Sequence, residues 1–182
     1  MKAGCRPGRG EVPVRNAGRE QKSALFGNMY PLLLTIHSLF RWAVLAGLLF
    51  ALLRAYRGWL TRAAFSAFDD TVRHVAATIA HVQLLIGLGL YYASPLTNYF
   101  YDNARAALRQ REIRFFGLEH PSLMLTAIVL ISIGSALAKR KTEPAAKFKT
   151  VAIWFTIALL LLLLSIPWPF SPLVSRPYGR WG

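Results

Sequence analysis

Cysteine is almost missing from this chain: Cys5 is the only one in 182 residues. That excludes a disulfide framework, a CxxCH haem-attachment motif and a cysteine-based metal site. Acidic side chains are scarce as well, 8 against 22 Lys and Arg, for a formal net charge of +14. Such an excess points to nucleic acid only where a basic groove is interleaved with base-stacking aromatics. No stretch here has that character, so nucleic acid is not read as a partner. The apolar runs, finally, lack the polar stripe every three or four residues that a soluble helix carries.

What the chain has is four apolar blocks, roughly 31–53, 75–93, 115–138 and 151–166, separated by segments that hold nearly all the charge. Each of the first three approaches the ~20 residues a helix needs to cross ~30 Å of hydrocarbon. The fourth, "VAIWFTIALLLLLLSI", reaches spanning length when Phe148 and the following "PWPF" are counted. The fold class expected is an all-α integral membrane four-helix bundle without internal repeats. Arg54, Arg57, Arg62 and Arg73 lie around the first connection, and Lys139, Arg140, Lys141, Lys147 and Lys149 around the third. The opposite helix ends, at Tyr30, Tyr91, Tyr92 and Trp168, are aromatic. By the positive-inside rule both termini fall on the outer, periplasmic side.

The first 28 residues conflict with that rule, since they carry six Lys or Arg. They contain no apolar run and are not a signal peptide. Residues 1–28 are read as a basic disordered tail, or as lying upstream of a natural start at Met29. The membrane domain is expected over 29–169, and the proline-rich residues 170–182 as an extended tail. The first connection has amphipathic character, with Asp69 or Asp70 capping the second helix. Within the outer connection Asp102 or Asn103 is expected to cap a short surface helix that carries Arg105, Arg109 and Glu112 on one side.

The polar residues inside the apolar blocks carry the functional reading. An arginine near the bilayer centre costs on the order of 2.5–3.5 kcal/mol even on the lenient insertion scale, and a histidine needs a partner. His37 and Arg41 are one turn apart on one face of the first helix. Glu119 and His120 stand before Pro121 at the start of the third. At ~1.5 Å per residue, His37 lies ~25 Å above Arg54 and His120 ~28 Å above Lys139, whereas His81 lies only ~12 Å above Arg73. His37 and His120 therefore share a level on helices that can stand diagonally across the bundle. Two imidazoles at matching depth are what a b-type haem requires of its protein. His81 is the alternative ligand if the boundaries are displaced by two turns. Arg41 would neutralise a haem propionate or another buried acid, and Glu119 could accept protons from a quinol. Plainer roles stand beside these. His81 can bond a neighbouring helix, His74 can be solvated at the membrane boundary, His120 can serve as a cap, and Arg41 can snorkel to lipid phosphate. Copper or proton transport is a weaker reading: three Met and one Cys offer poor soft-metal ligation, although His37, Arg41 and His81 could line a proton path.

The stretches "HSLFRW" at 37–42, "HVQLLIGLGLYYASP" at 81–95, "RFFGLEHPSLML" at 114–125 and "IPWP" at 166–169 together resemble a family of small four-helix bacterial membrane proteins, frequent in Bacteroidetes and relatives, commonly labelled cytochrome b-like. The resemblance runs from Met29 to Pro169. It implies haem b as cofactor, with the family's histidines falling on His37, His81 and His120, and a multi-pass protein of the bacterial inner membrane. The function expected is a haem-b electron-transfer subunit that exchanges electrons with quinone. The alternative is a non-haem accessory subunit of a larger respiratory-type complex. Both imply the lipid bilayer and other membrane subunits as partners.

Overall fold

The computed structural model describes residues 15–169 with Ser171 and Val174, residues 15–28 by their backbone only. The rest of the tail expected over 170–182, and residues 1–14, lie outside the described residues. The elements in order are α1 (Arg15–Leu60), α2 (Ala67–Ala93), α3 (Pro95–Asp102), α4 (Ala104–Ala107), α5 (Arg111–Arg114), a π-helical turn (Phe115–Glu119), α6 (His120–Arg140) and α7 (Pro144–Ser165). The regular secondary structure of the described residues is all helical, with no strand. Four stretches, Met29–Leu60, Ala67–Ala93, Arg111–Arg140 and Pro144–Ser165, are long and apolar enough to cross a membrane. Helix α1 begins at Arg15, well before Met29, so its backbone includes part of the segment expected as a disordered tail.

Each long helix packs on its neighbours in chain order, α1 on α2, α2 on α6, α6 on α7 and α7 on α1, which leaves α1 and α6 on a diagonal. The centre holds Leu48, Ala51, Ala80, Ala127, Ile131, Ala152, Phe155 and Ala158, all at most 3% exposed. Alanines at these seams let the backbones approach closely, as packing in lipid favours. The outward faces are apolar too, with Leu49, Leu53, Leu85, Val129, Leu160 and Leu164 exposed. An exterior of that kind suits hydrocarbon and not water.

Local chemistry sets the ends. Helix α1 closes with Arg62 in the left-handed region (φ 52°). Ala63 N–H then bonds Gly58 O at 3.0 Å and Arg62 N–H bonds Trp59 O at 3.4 Å, the two bonds of a Schellman stop. Helix α2 is capped by Ser66, not by Asp69 or Asp70 as expected: Ser66 Oγ accepts Asp69 N–H, and Asp69 Oδ2 accepts Ser66 N–H. Asp69, third in the helix, completes a capping box. Its Oδ1 accepts Arg54 Nε and Nη2 at 3.0 and 2.7 Å, tying α2 to α1. Arg73 pairs with Asp70 at 2.8 Å and donates to Ser135 O at 3.0 Å, tying α2 to α6.

The outer connection also differs from expectation. Asn103 is the N-cap position, as expected, though without a side-chain cap bond. The helix after it is two short pieces, α4 and α5, because the chain leaves helical geometry again at Gln110 (φ −95°, ψ 110°). Arg105 and Glu112 consequently sit on different pieces.

Candidate functional site

A cavity of about 410 Å³ opens at the end of the bundle opposite the basic connections, within the range of small-molecule and cofactor sites. His37, Arg41, Gln83, Gly87, Tyr91 and His120 are among the residues that line it. His37 comes from α1 and His120 from α6, the diagonal pair, and their ring centroids are 6.3 Å apart at an interplanar angle of 75°.

Freed carbonyls account for how His120 is held. Pro121 has no N–H for the carbonyl four residues back, Gly117 O. The chain absorbs this with the π-helical turn, in which His120 N–H reaches Phe115 O, five residues back. Gly117 O receives Tyr91 Oη–H from α2 at 2.7 Å instead. His120 opens α6, as Pro121 led us to expect, but α6 follows directly on the π-helical turn and is not a fresh start. It sits inside a helical run from Arg111 to Arg140, at the kind of π-bulge that often accompanies functional sites. Helix α7 ends at Ser165 and Ile166 is extended (φ −73°, ψ 129°), so Leu163 O and Ser165 O, in its last turn, have no helical N–H to accept. Trp168 Nε1–H donates to Leu163 O at 2.9 Å, and His120 Nδ1 lies 2.8 Å from Ser165 O. A carbonyl needs a donor, so Nδ1 carries the hydrogen and Nε2 is the lone-pair nitrogen. Phe115 and Phe116 flank the ring at 5.7 and 6.2 Å between centroids.

His37 is held differently. Its ring lies against Gly87 of α2, where an added Cβ would stand 3.1 Å from His37 Cε1 and 3.5 Å from Nδ1. Gln83, one turn from Gly87, donates its Nε2–H to His37 O at 2.9 Å. His37 Nδ1 and Gln83 Oε1 are buried and make no hydrogen bond among the described residues. Arg41, one turn along α1, stands 5.4 Å from the Trp42 ring and 5.9 Å from the Trp168 ring, a cation–π arrangement inside the apolar layer.

The remaining sequence candidates fall elsewhere. His81 is exposed on the bundle exterior, with Nδ1–H donating to Ala77 O at 2.7 Å and Nε2 3.0 Å from Ser132 Oγ. Its two nitrogens serve its own helix and the α2–α6 contact, outside the cavity. Glu119 pairs with Arg114 at 2.6 Å and is not part of the lining. Sequence reasoning missed Gly87, Gln83 and Tyr91 as site residues. One signal was readable: Pro121 frees the carbonyl four residues earlier, the prolines after Ile166 mark a helix end whose last carbonyls are free as well, and buried carbonyls find donors.

The donor set suits haem b. A metal–imidazole bond is about 2.0–2.1 Å, so two rings ligating one ion, with their half-widths added, have centres roughly 6 Å apart. Ser165 O at His120 Nδ1 is the outer partner that metal-bound histidines characteristically have. Among the described residues no three or more His, Cys, Asp or Glu side chains gather into a metal cluster. Two imidazoles would suffice to hold an iron whose other ligands come with a macrocycle. Compared with protein-family models, curated proteins and solved structures, the chain matches none.

Proposed function

We propose that this chain is a multi-pass b-type-cytochrome-like electron-transfer subunit of the bacterial inner membrane, with haem b held between His37 and His120. The observation that carries the proposal is the facing of these two imidazoles, 6.3 Å apart on diagonal helices across one cavity. Haem iron, when bound, supplies one-electron transfer. His120 presents Nε2 because Ser165 O commits its Nδ1. Gly87 leaves room for the His37 ring, and Arg41 on the cavity wall offers a cation to a propionate. The apolar setting supports a membrane-dissolved exchange partner such as a quinone. Glu119, paired with Arg114, has no place in its protonation under this reading.

Topology follows from charge. The basic connections 61–66 and 141–143, with their flanking Arg and Lys, lie opposite the histidine pair, which supports a cytoplasmic position for them and both chain ends on the outer side. The test is a pigment spectrum. Protein purified from a haem-replete host is expected to be red, with a reduced-minus-oxidised band that His37→Ala and His120→Ala abolish and that His74→Ala and His81→Ala retain. Colourless wild-type protein overturns the proposal. Colourless protein that co-purifies in a stable membrane assembly would establish the accessory-subunit alternative.

A further inference from the structure

The two candidate ligands are unequally supported. His120 Nδ1 has Ser165 O, whereas His37 Nδ1 is buried with no hydrogen bond among the described residues. An imidazole that ligates a metal through Nε2 must keep its proton on Nδ1 and give that proton to an acceptor. Gln83 Oε1 is a buried acceptor in this cavity wall that makes no hydrogen bond among the described residues. Its chemistry is fixed by its own carboxamide. Gln83 Nε2 is 2.9 Å from His37 O, and only the amide nitrogen can donate to a carbonyl, so the group cannot flip and the oxygen remains an acceptor. Gln83 and Gly87 are one turn apart on the face of α2 that meets His37, with Gly87 against the His37 ring atoms Cε1 and Nδ1. One carboxamide thus grips the His37 backbone and carries the acceptor that its side chain lacks.

We infer that Gln83 is the positioning residue for His37, accepting the Nδ1–H at Oε1 when His37 Nε2 is taken by iron, as Ser165 O does for His120. The inference rests on the haem reading above and assigns it a residue of α2 that acts through His37. An acceptor at Nδ1 makes the imidazole more electron-rich, which stabilises the oxidised metal and fixes the ring orientation. Loss of such an outer partner lowers metal affinity about 10- to 100-fold.

The experiment is titration of the full-length, detergent-solubilised apoprotein with protohaem, followed by redox titration of the loaded protein. Gln83→Met, of similar shape and without the amide, is expected to bind protohaem about 10- to 100-fold more weakly and to show a raised midpoint potential. Gln83→Glu, a stronger acceptor, is expected to lower the potential below that of the wild type. Opposite shifts from two substitutions at one site are not what general loosening of the bundle produces. If wild-type protein binds haem and both variants keep its affinity and potential, the Gln83 assignment is overturned and the haem reading stands. If both variants shift in the same direction, the acceptor role is likewise overturned. If wild-type protein binds no haem, the haem reading fails and this inference fails with it.

Discussion

Gly87→Ala separates the stability of the bundle from the fitness of its site. The added methyl would stand 3.1 Å from His37 Cε1 and 3.5 Å from Nδ1, against the roughly 3.5–4.0 Å at which carbon atoms pack without repulsion. The His37 ring must therefore withdraw by a few tenths of an ångström. Overpacking of this kind costs about 1–3 kcal/mol. Alanine in a helix interior recovers about 0.5–1 kcal/mol relative to glycine. The net loss of stability is thus between about zero and 2.5 kcal/mol. A metal ligand, by contrast, has to be held within about 0.5 Å of its productive position, and the displacement uses most of that tolerance. Strain of about 1–2 kcal/mol felt by the loaded site corresponds to about a 5- to 30-fold loss of affinity. Thermal unfolding of the apoprotein and spectroscopic titration with protohaem measure the two quantities separately. Gly87→Ala should unfold near the wild-type temperature and bind haem several-fold more weakly, and Gly87→Val should be worse on both counts. Wild-type haem affinity in both variants would refute the role given to the Gly87–His37 contact.

Other substitutions test the supports of the site one at a time. Tyr91→Phe leaves Gly117 O without its donor and should cost about 1–3 kcal/mol, read as a lower unfolding temperature and faster amide exchange over residues 95–119. Arg62→Gly removes the side-chain penalty of a left-handed residue (φ 52°), about 1–2 kcal/mol; a raised unfolding temperature with unchanged haem affinity is the expected result. Ser132→Ala deletes the partner of His81 Nε2. Interhelical hydrogen bonds in membranes average about 0.6 kcal/mol, so stability should fall only slightly and the haem spectrum should persist. Asp69→Ala removes the acceptor shared by Ser66 and Arg54. Loss of the cap alone is worth about 1 kcal/mol, and a denaturation midpoint equal to that of the wild type would contradict the structure.

The elements differed in how far they could be read in advance. Four long apolar helices, their order, and the level shared by His37 and His120 follow from counting along the chain, because hydropathy and rise per residue are local properties. The Ser66 capping box was equally local, and Asp69 at its third helical position was the clue. The outer connection was misread because, although Asn103 was expected as a helix boundary, nothing in residues 104–114 announces that Gln110 interrupts the helix that follows. His120 was read as the opening of a helix because a proline at the next position usually marks one, and α6 does begin there. What stayed hidden is that the helical run already starts at Arg111, where Pro121 conflicts with its continuation. The π-helical turn removes that conflict, and it is sustained by Tyr91, a residue on another helix.

By itself, the amino-acid sequence determined that this protein is four apolar helices with basic connections at one end and two histidines at one depth near the other. Those features depend only on neighbours in the chain, through composition, period and length. The tertiary structure alone decided that His37 and His120 face one cavity while His81 turns outward, and that Glu119 belongs to Arg114. It also decided which donors meet the carbonyls left free at Pro121 and at the end of α7. A helix fixes the spacing of its residues along the axis, but its rotation and its neighbours are set by packing on the other three helices. Which side chains meet is therefore a property of the bundle.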